Sequence, residues 1–168
     1  VDPETGKTLG EVDGLPRNEV LNLARTADGT LWAATRSGLA VIRDRTLVKL
    51  LSRADGLPND EVLVLALVPG KAGEELWAGT RGGVARLSLA GGDLRFSKVP
   101  GLPAGVDNAA TQVILPDGRG NVYLGTHRGI VRLSPEGGAK VFTTADGIPS
   151  TIANWGGLVT PRGVCGSR

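Results

Sequence analysis

The sequence predicts an all-β fold built from β-propeller blades, each a four-stranded antiparallel sheet, in an incomplete propeller fragment. Three observations favour this fold. A four-residue turn motif recurs at steps of 42, 45 and 46 residues, a second motif with an aromatic residue lies between its copies, and the 168 residues include 26 Gly and 10 Pro. Repeats of this length, punctuated by many tight turns, are typical of propeller blades.

The first motif reads Asp-Gly-Leu-Pro or a close variant. Its copies are Asp13-Gly14-Leu15-Pro16, Asp55-Gly56-Leu57-Pro58, Pro100-Gly101-Leu102-Pro103 and Asp146-Gly147-Ile148-Pro149. Glycine adopts backbone conformations that other residues avoid, and proline fixes one, so each copy is expected to form a tight turn. Structural turn roles are therefore assigned to Asp13, Gly14, Asp55, Gly56, Gly101, Asp146 and Gly147.

The second motif is an apolar residue and an aromatic residue, followed by two small or apolar residues and a threonine. It occurs as Leu31-Trp32-Ala33-Ala34-Thr35, Leu76-Trp77-Ala78-Gly79-Thr80 and Val122-Tyr123-Leu124-Gly125-Thr126. The distance from the aromatic residue to the next motif glycine is always 24 residues. All length variation is therefore placed in the polar hairpins near residues 26–30, 69–75 and 116–121. Trp32, Trp77 and Tyr123 lie in predicted strands and are expected to form core between blades.

Each repeat contains four short apolar runs, which in the first repeat span residues 20–24, 31–35, 39–42 and 47–51. The predicted boundaries are the end of a preceding blade (1–12), three whole blades (13–54, 55–99 and 100–145) and the start of a further blade (146–168). We predict that these blades do not close into a ring, because incomplete ends leave exposed sheet edges. The alternative is a four-bladed disc in which residues 9–12 complete the last blade.

Composition and charge exclude several classes of function. The chain is 40% hydrophobic and 21% charged, which is ordinary for a folded domain, and its net charge of +2 is spread along the sequence. No basic run indicates nucleic-acid binding, and the longest apolar run, residues 62–68, is too short to cross a membrane. One cysteine and one histidine exclude an internal disulfide and a Cys/His zinc site. We predict no cofactor and no metal, and we interpret Cys165 as a buried thiol.

Strand direction alternates, so the turn after the second strand and the turn after the fourth strand are expected on one face. That face collects the candidate ligand-binding residues Arg36, Arg81, His127 and Arg128, together with Asp13, Asp55 and Asp146. Two interpretations remain. The cations could receive an anionic or saccharide ligand near the central channel. Alternatively, the acids and arginines pair with one another and order the turns, which their recurrence favours.

These repeats resemble the two-component regulator propeller repeat of bacterial hybrid sensor histidine kinases. That repeat runs Asp-Gly-Leu-Pro, an apolar strand, a turn, Leu-Trp-x-Gly-Thr and then Gly-Leu. Residues 13–39 match it nearly throughout, and residues 55–84 match it with a longer turn. The departures are Pro100 for Asp, Tyr123 for Trp and Ala34 for Gly. The resemblance implies a periplasmic sensor segment, joined to further blades and to a kinase output domain.

The residues themselves give little support to catalysis. A propeller lyase or hydrolase needs a clustered base, often with a metal, whereas the carboxylates here are spread evenly over the repeats. The function expected is a non-catalytic ligand-sensing or interaction module of a two-component protein, whose partner is a small molecule or a neighbouring domain. The alternatives are a streptogramin-lyase-like propeller enzyme and a plain protein-interaction scaffold.

Overall fold

The computed structural model describes residues 15, 19–148, 158–160 and 163–165. In these ranges the chain forms three four-stranded antiparallel sheets and one two-stranded hairpin. Blade 1 contains β1 (Val20–Arg25), β2 (Leu31–Thr35), β3 (Gly38–Arg43) and β4 (Thr46–Leu51). Blade 2 contains β5 (Val62–Gly70), β6 (Gly73–Thr80), β7 (Gly83–Ser88) and β8 (Ser97–Lys98). Blade 3 contains β9 (Thr111–Pro116), β10 (Val122–Thr126), β11 (Gly129–Leu133) and β12 (Ala139–Phe142).

The three blades are meanders stacked on one another. Within each sheet every strand pairs with the next strand along the chain. The first strands lie side by side, since β5 contacts both β1 and β9, and the second strand of a blade contacts the first strand of the following blade. This arrangement is that of propeller blades around an axis, and it confirms the predicted all-β fold.

Apolar cores fill the space between neighbouring blades. The core between blades 1 and 2 contains Trp32, Leu65 and Leu76, and the core between blades 2 and 3 contains Trp77 and Leu124. Successive residues of a strand point to opposite faces, so Leu76 and Trp77 of β6 serve different cores. Both faces of blade 2 are thus buried, which explains why its strands do not alternate between apolar and polar residues.

The position of the extra residues in blade 3 corrects the sequence prediction. Val20, Val62 and Thr111 are equivalent, because each pairs with the threonine of the second motif. The sequence has six residues from Gly14 to Val20 and six from Gly56 to Val62, but ten from Gly101 to Thr111. Blade 2 does carry its insertion in the β5–β6 hairpin. In blade 3 the placement near residues 116–121 was wrong, and the four extra residues lie in the loop before β9.

Both ends of the sequence fall largely outside the described residues. The predicted blade end at 1–12 and the turn residues Asp13 and Gly14 lie there, so the open ring stays a prediction. A hairpin of β13 (Leu158–Thr160) and β14 (Gly163–Cys165) lies within the range predicted for a further blade. The described part of the chain contains no helix with the length and apolar character needed to cross a membrane.

Candidate ligand-binding face

We use the name loop face for the surface formed by residues 35–38, 52–61, 80–83, 101–110 and 126–129. These loops touch one another across blades. Gly82, in the turn between β6 and β7, lies beside Pro58 and Asn59, and Gly83 lies against the carbonyl of Asp107 in the loop before β9. The loop face therefore collects two kinds of connection, the β2–β3 type of turn and the segment that enters the following blade.

A buried threonine holds each turn of the loop face. Thr35 Oγ1 donates to the carbonyl of Gly38 at 2.8 Å and accepts the N–H of Ser37 at 3.1 Å. Thr80 and Thr126 make the same two bonds in blades 2 and 3. All three threonines are at most 1% exposed. Each turn is thus closed by the threonine that ends the strand before it, and this closure does not use the side chains of the two residues at the tip of the turn.

The aspartate of the first motif orders its own turn. The Asp55 carboxylate accepts the N–H of Ser52 at 2.9 Å and the ammonium of Lys49 at 2.7 Å. Gly56 follows at φ +94°, a left-handed conformation that favours glycine. Hydrogen bonding from Lys49 and Ser52 lowers the pKa of Asp55. Asp146 accepts the N–H of Thr143 at 2.9 Å in the same way, and Gly147 and Gly101 also have positive φ.

The candidate arginines Arg36 and Arg81 meet at one glutamate. Arg36 Nη1 lies 2.8 Å from Glu61 Oε1, and Arg81 Nη2 lies 3.0 Å from the same oxygen. Arg36 also contacts Glu19 Oε2 at 3.2 Å. Since Arg36 belongs to blade 1 and Arg81 to blade 2, Glu61 bridges the two blades. We call Glu19, Arg36, Glu61 and Arg81 the ion-pair ladder.

Electrostatics within the ladder are compensated. Hydrogen bonding from Arg81, together with the charges of Arg81 and Arg36, holds the pKa of Glu61 below its usual range. The same contact raises the pKa of Arg81. Two carboxylates therefore offset two guanidinium groups. The predicted pairing of the motif aspartates with these arginines is wrong for Asp55, which orders its own turn. Glu19 and Glu61 pair with the arginines instead. Asp13 lies outside the described residues.

Blade 3 replaces this arrangement. His127 takes the place of Arg81, and its Nδ1 accepts the backbone N–H of Ala110 at 3.0 Å. Arg128 follows at the tip of the turn, and both side chains are exposed. Within residues 19–148 no carboxylate lies within ion-pair distance of Arg128. The structure thus brings Arg36 and Arg81 together and leaves His127 and Arg128 as a separate pair.

Sequence reasoning missed Glu19 and Glu61. A signal was present, because each glutamate follows its motif glycine by five residues and immediately precedes a first strand. Asn59 supports Glu61 by accepting its backbone N–H at 2.9 Å. The aspartate of the motif is the more conspicuous acid, so the glutamate five residues after the motif glycine was overlooked.

The aromatic residues of the second motif lie away from the loop face. Trp32 is 2% exposed and Trp77 is 6% exposed, while Tyr123 is half-buried. Each indole N–H already has an acceptor, since Trp32 Nε1 donates to Thr26 Oγ1 at 3.3 Å and Trp77 Nε1 donates to Glu75 Oε2 at 2.9 Å. Both tryptophans are therefore packed within the interior, and Trp32 also lines the cleft on the opposite face.

A cleft of about 290 Å³ opens on the opposite face, between blades 1 and 2. Its polar wall includes Asp28 and Arg43. Hydrogen bonds from Thr26 and Thr30 lower the pKa of Asp28 to about 2. Arg43 donates to Thr30 Oγ1 at 2.9 Å and lies 3.8 Å from Asp28. Asp28 and Arg43 are thus paired with the threonines of the hairpin and with each other, and we assign no ligand to the cleft.

The fold and the loop face define a segment of a β-propeller. Residues 14–37 match the family model for the two-component regulator propeller. Over these residues the match confirms the resemblance noted from the motifs. No curated protein matches the chain. Among the residues that the structure describes, no group of three His, Cys, Asp or Glu side chains is placed to hold a metal ion.

Several solved structures share the fold. An extracellular domain described as part of a hybrid two-component system from B. thetaiotaomicron superposes with a TM-score of 0.64 at 19% identity, over 82% of this chain and 18% of that chain. An extracellular domain described as part of a one-component system from the same organism gives 0.55 at 25% identity, over 76% and 18%. Virginiamycin B lyase from Staphylococcus aureus gives 0.54 at 15% identity, over 79% and 42%. This chain thus spans about a fifth of the two extracellular domains.

Proposed function

We propose that this chain is a non-catalytic segment of an extracytoplasmic sensor propeller in a bacterial two-component signal-transduction protein. The observation that carries the proposal is the match of residues 14–37 to the two-component regulator propeller repeat. Superposition on extracellular domains of a hybrid two-component system and of a one-component system supports the location. In this role the segment has two kinds of partner, namely further blades of the same protein and an output domain such as a kinase.

The surface that we propose for recognition is the loop face, with Arg36, Arg81, His127 and Arg128. Its two parts differ in role. Arg36 and Arg81 are neutralised by Glu19 and Glu61, and the Arg36–Glu61 pair links blades 1 and 2. His127 and Arg128 are exposed on blade 3, where a ligand or a neighbouring domain can reach them. Recognition by a face of fixed geometry requires no chemical change in what is bound.

A lyase activity is the alternative, since lyases share the fold. At 15% identity the likeness to virginiamycin B lyase supports the fold alone. General acid or base catalysis needs a group with its proton-accepting atom directed at substrate. The chain has one histidine, and its Nδ1 is engaged by the backbone of Ala110. We therefore favour binding over turnover.

The test compares recognition and turnover in the intact protein that contains this chain. His127→Ala combined with Arg128→Gln should lower the transcriptional output of the signalling system, while Arg119→Gln, an exposed arginine of the opposite face, serves as the matched control. Circular dichroism should be the same for all three proteins. Incubation with virginiamycin B should leave the mass of the antibiotic unchanged. Cleavage of the antibiotic, or normal output from the double variant, would contradict the proposal.

A further inference from the structure

We propose that the loop face of blade 3 binds a carboxylate group through His127 and Arg128, in the place that Glu61 fills within blade 2. This inference rests on the binding role proposed above and deepens it, because it names the chemical group recognised. It follows from a comparison of equivalent positions in the two blades.

Backbone hydrogen bonds establish the equivalence. The N–H of Arg81 donates to the carbonyl of Glu61 at 3.0 Å, and the N–H of His127 donates to the carbonyl of Ala110 at 3.2 Å. Ala110 therefore stands where blade 2 has Glu61, and His127 stands where it has Arg81. Blade 3 has lost the carboxylate of the ladder and has kept a hydrogen-bonding side chain opposite that position.

His127 is oriented to donate outward. Because its Nδ1 accepts the N–H of Ala110, the proton of the neutral ring resides on Nε2. The side chain is exposed, so this N–H is available to an acceptor from solution. An uncharged N–H donor orients a bound anion through a hydrogen bond and leaves the net charge of the site unchanged.

Arg128 supplies the charge. The equivalent residue is Gly82 in blade 2 and Ser37 in blade 1, so a cation at this position is specific to blade 3. Its guanidinium lies over Gly105, where a Cβ atom would come within 2.8 Å of Nη1. The acid of the same loop, Asp107, accepts the N–H of Gly105 at 3.0 Å and forms no ion pair with Arg128. The extended loop before β9 thus makes room for the guanidinium and does not neutralise it.

The following repeat supplies no acid either. Glu61 reaches back to Arg36 of the preceding blade at 2.8 Å, so the residue in the next repeat could in principle do the same for His127. That residue, five positions after Gly147, is Ile152, which lies outside the described residues and has no hydrogen-bond acceptor in its side chain. A carboxylate from outside the chain matches the donors that remain, because its two oxygens accept from a guanidinium and an imidazole N–H.

The experiment uses His127 as its own reporter. It is the only histidine of the chain, so the imidazole Cε1–H resonance of the full 168-residue chain is unambiguous by NMR. At about pH 7.5 we expect a saturable shift of this resonance with acetate or with a tetraglutamate peptide. Chloride and sulfate at equal ionic strength are the control anions. Arg128→Gln should weaken carboxylate binding about tenfold, whereas Arg119→Gln should not change it.

A second pair of variants tests the comparison with blade 2 directly. Ala110→Glu restores the acid of the ladder and should abolish binding, because the new carboxylate occupies the site. Ala110→Gln has the same size without the charge and should lower the affinity much less, because a neutral amide competes less well for the guanidinium. Dispersed amide spectra report that each variant is folded.

The relative affinities for the peptide and for acetate distinguish two sources of the carboxylate. Tighter binding of the peptide than of acetate supports recognition of acidic side chains on a partner, and equal affinity per carboxylate supports recognition of a free organic acid. An equal response to sulfate, or identical titrations of Arg128→Gln and the unmodified chain, overturns the inference. If the intact protein then still signals through its loop face, the proposed function survives and only this site is lost.

Discussion

Blades 2 and 3 share a backbone arrangement and differ in the side chains that they place on the loop face. Each has four sequentially paired strands, a threonine-closed turn and the same backbone bond between that turn and the segment before the first strand. On blade 2 the turn carries Arg81 against Glu61, and on blade 3 it carries His127 and Arg128 beside Ala110. The comparison teaches that the repeat specifies geometry, while charge on the loop face is set independently in each blade.

The largest expected effect tests whether the two blades have equally strong cores. Trp77 is buried among Val106, Ile114 and Leu124, so Trp77→Ala should lower the free energy of unfolding by about 3 to 5 kcal/mol through cavity formation. Tyr123→Ala in blade 3 should cost less, because Tyr123 is half-buried. Urea denaturation of both variants measures the difference. A loss below about 1 kcal/mol for Trp77→Ala would show that this side chain is not core.

A second substitution probes the seam between the two blades. A Cβ atom on Gly79 would lie 2.7 Å from the carbonyl oxygen of Thr111 in β9 and 2.6 Å from Cγ1 of Val64. Gly79→Ala should therefore cost about 1 to 3 kcal/mol through overpacking. Gly91→Ala is the matched control, since a Cβ there meets nothing within 4 Å. Equal midpoints of thermal unfolding for the two variants would show that the blades are further apart than the structure places them.

The smallest effect concerns the ladder that blade 3 lacks. Glu61→Gln should cost about 1 kcal/mol or less at neutral pH, because its partners Arg36 and Arg81 are largely exposed. The pKa of Glu61 is lowered on folding from an ordinary value of 4.5. Its contribution is therefore present above that value and is lost as the pH falls through the folded pKa.

Free energies of unfolding measured at about pH 7 and about pH 3 check this dependence. The unmodified chain should lose more stability between the two pH values than Glu61→Gln does. The matched variant in blade 3, Ala110→Gln, should follow the unmodified chain. A parallel loss in all three proteins would remove Glu61 from the account of the pH dependence.

Much of the fold could be predicted from the sequence, because period, turn glycines and strand lengths are local signals. The first-repeat strands were predicted at residues 20–24 and 31–35, and the structure has them at Val20–Arg25 and Leu31–Thr35. The face shared by Arg36 and Arg81 followed from strand direction alone. The pairing of these arginines with Glu61 could not be predicted in this way, because an ion pair between blades depends on how two sheets stack. The four extra residues of blade 3 were assigned to the wrong loop, because the spacing between motifs gives the total length of a segment and does not show which of its loops is longer.

The threonine of the second motif has a consequence for how such a surface can change. Since Thr35, Thr80 and Thr126 each close their turn with a hydroxyl group, the side chains of the two residues at the tip are not needed to fix the backbone of the turn. Arg-Ser, Arg-Gly and His-Arg occupy the same path in three successive blades. Each blade therefore has two positions at which the side chain can vary while the backbone of the turn stays the same. A propeller built from such blades can change the pattern of groups on its loop face two residues at a time, with its fold unchanged.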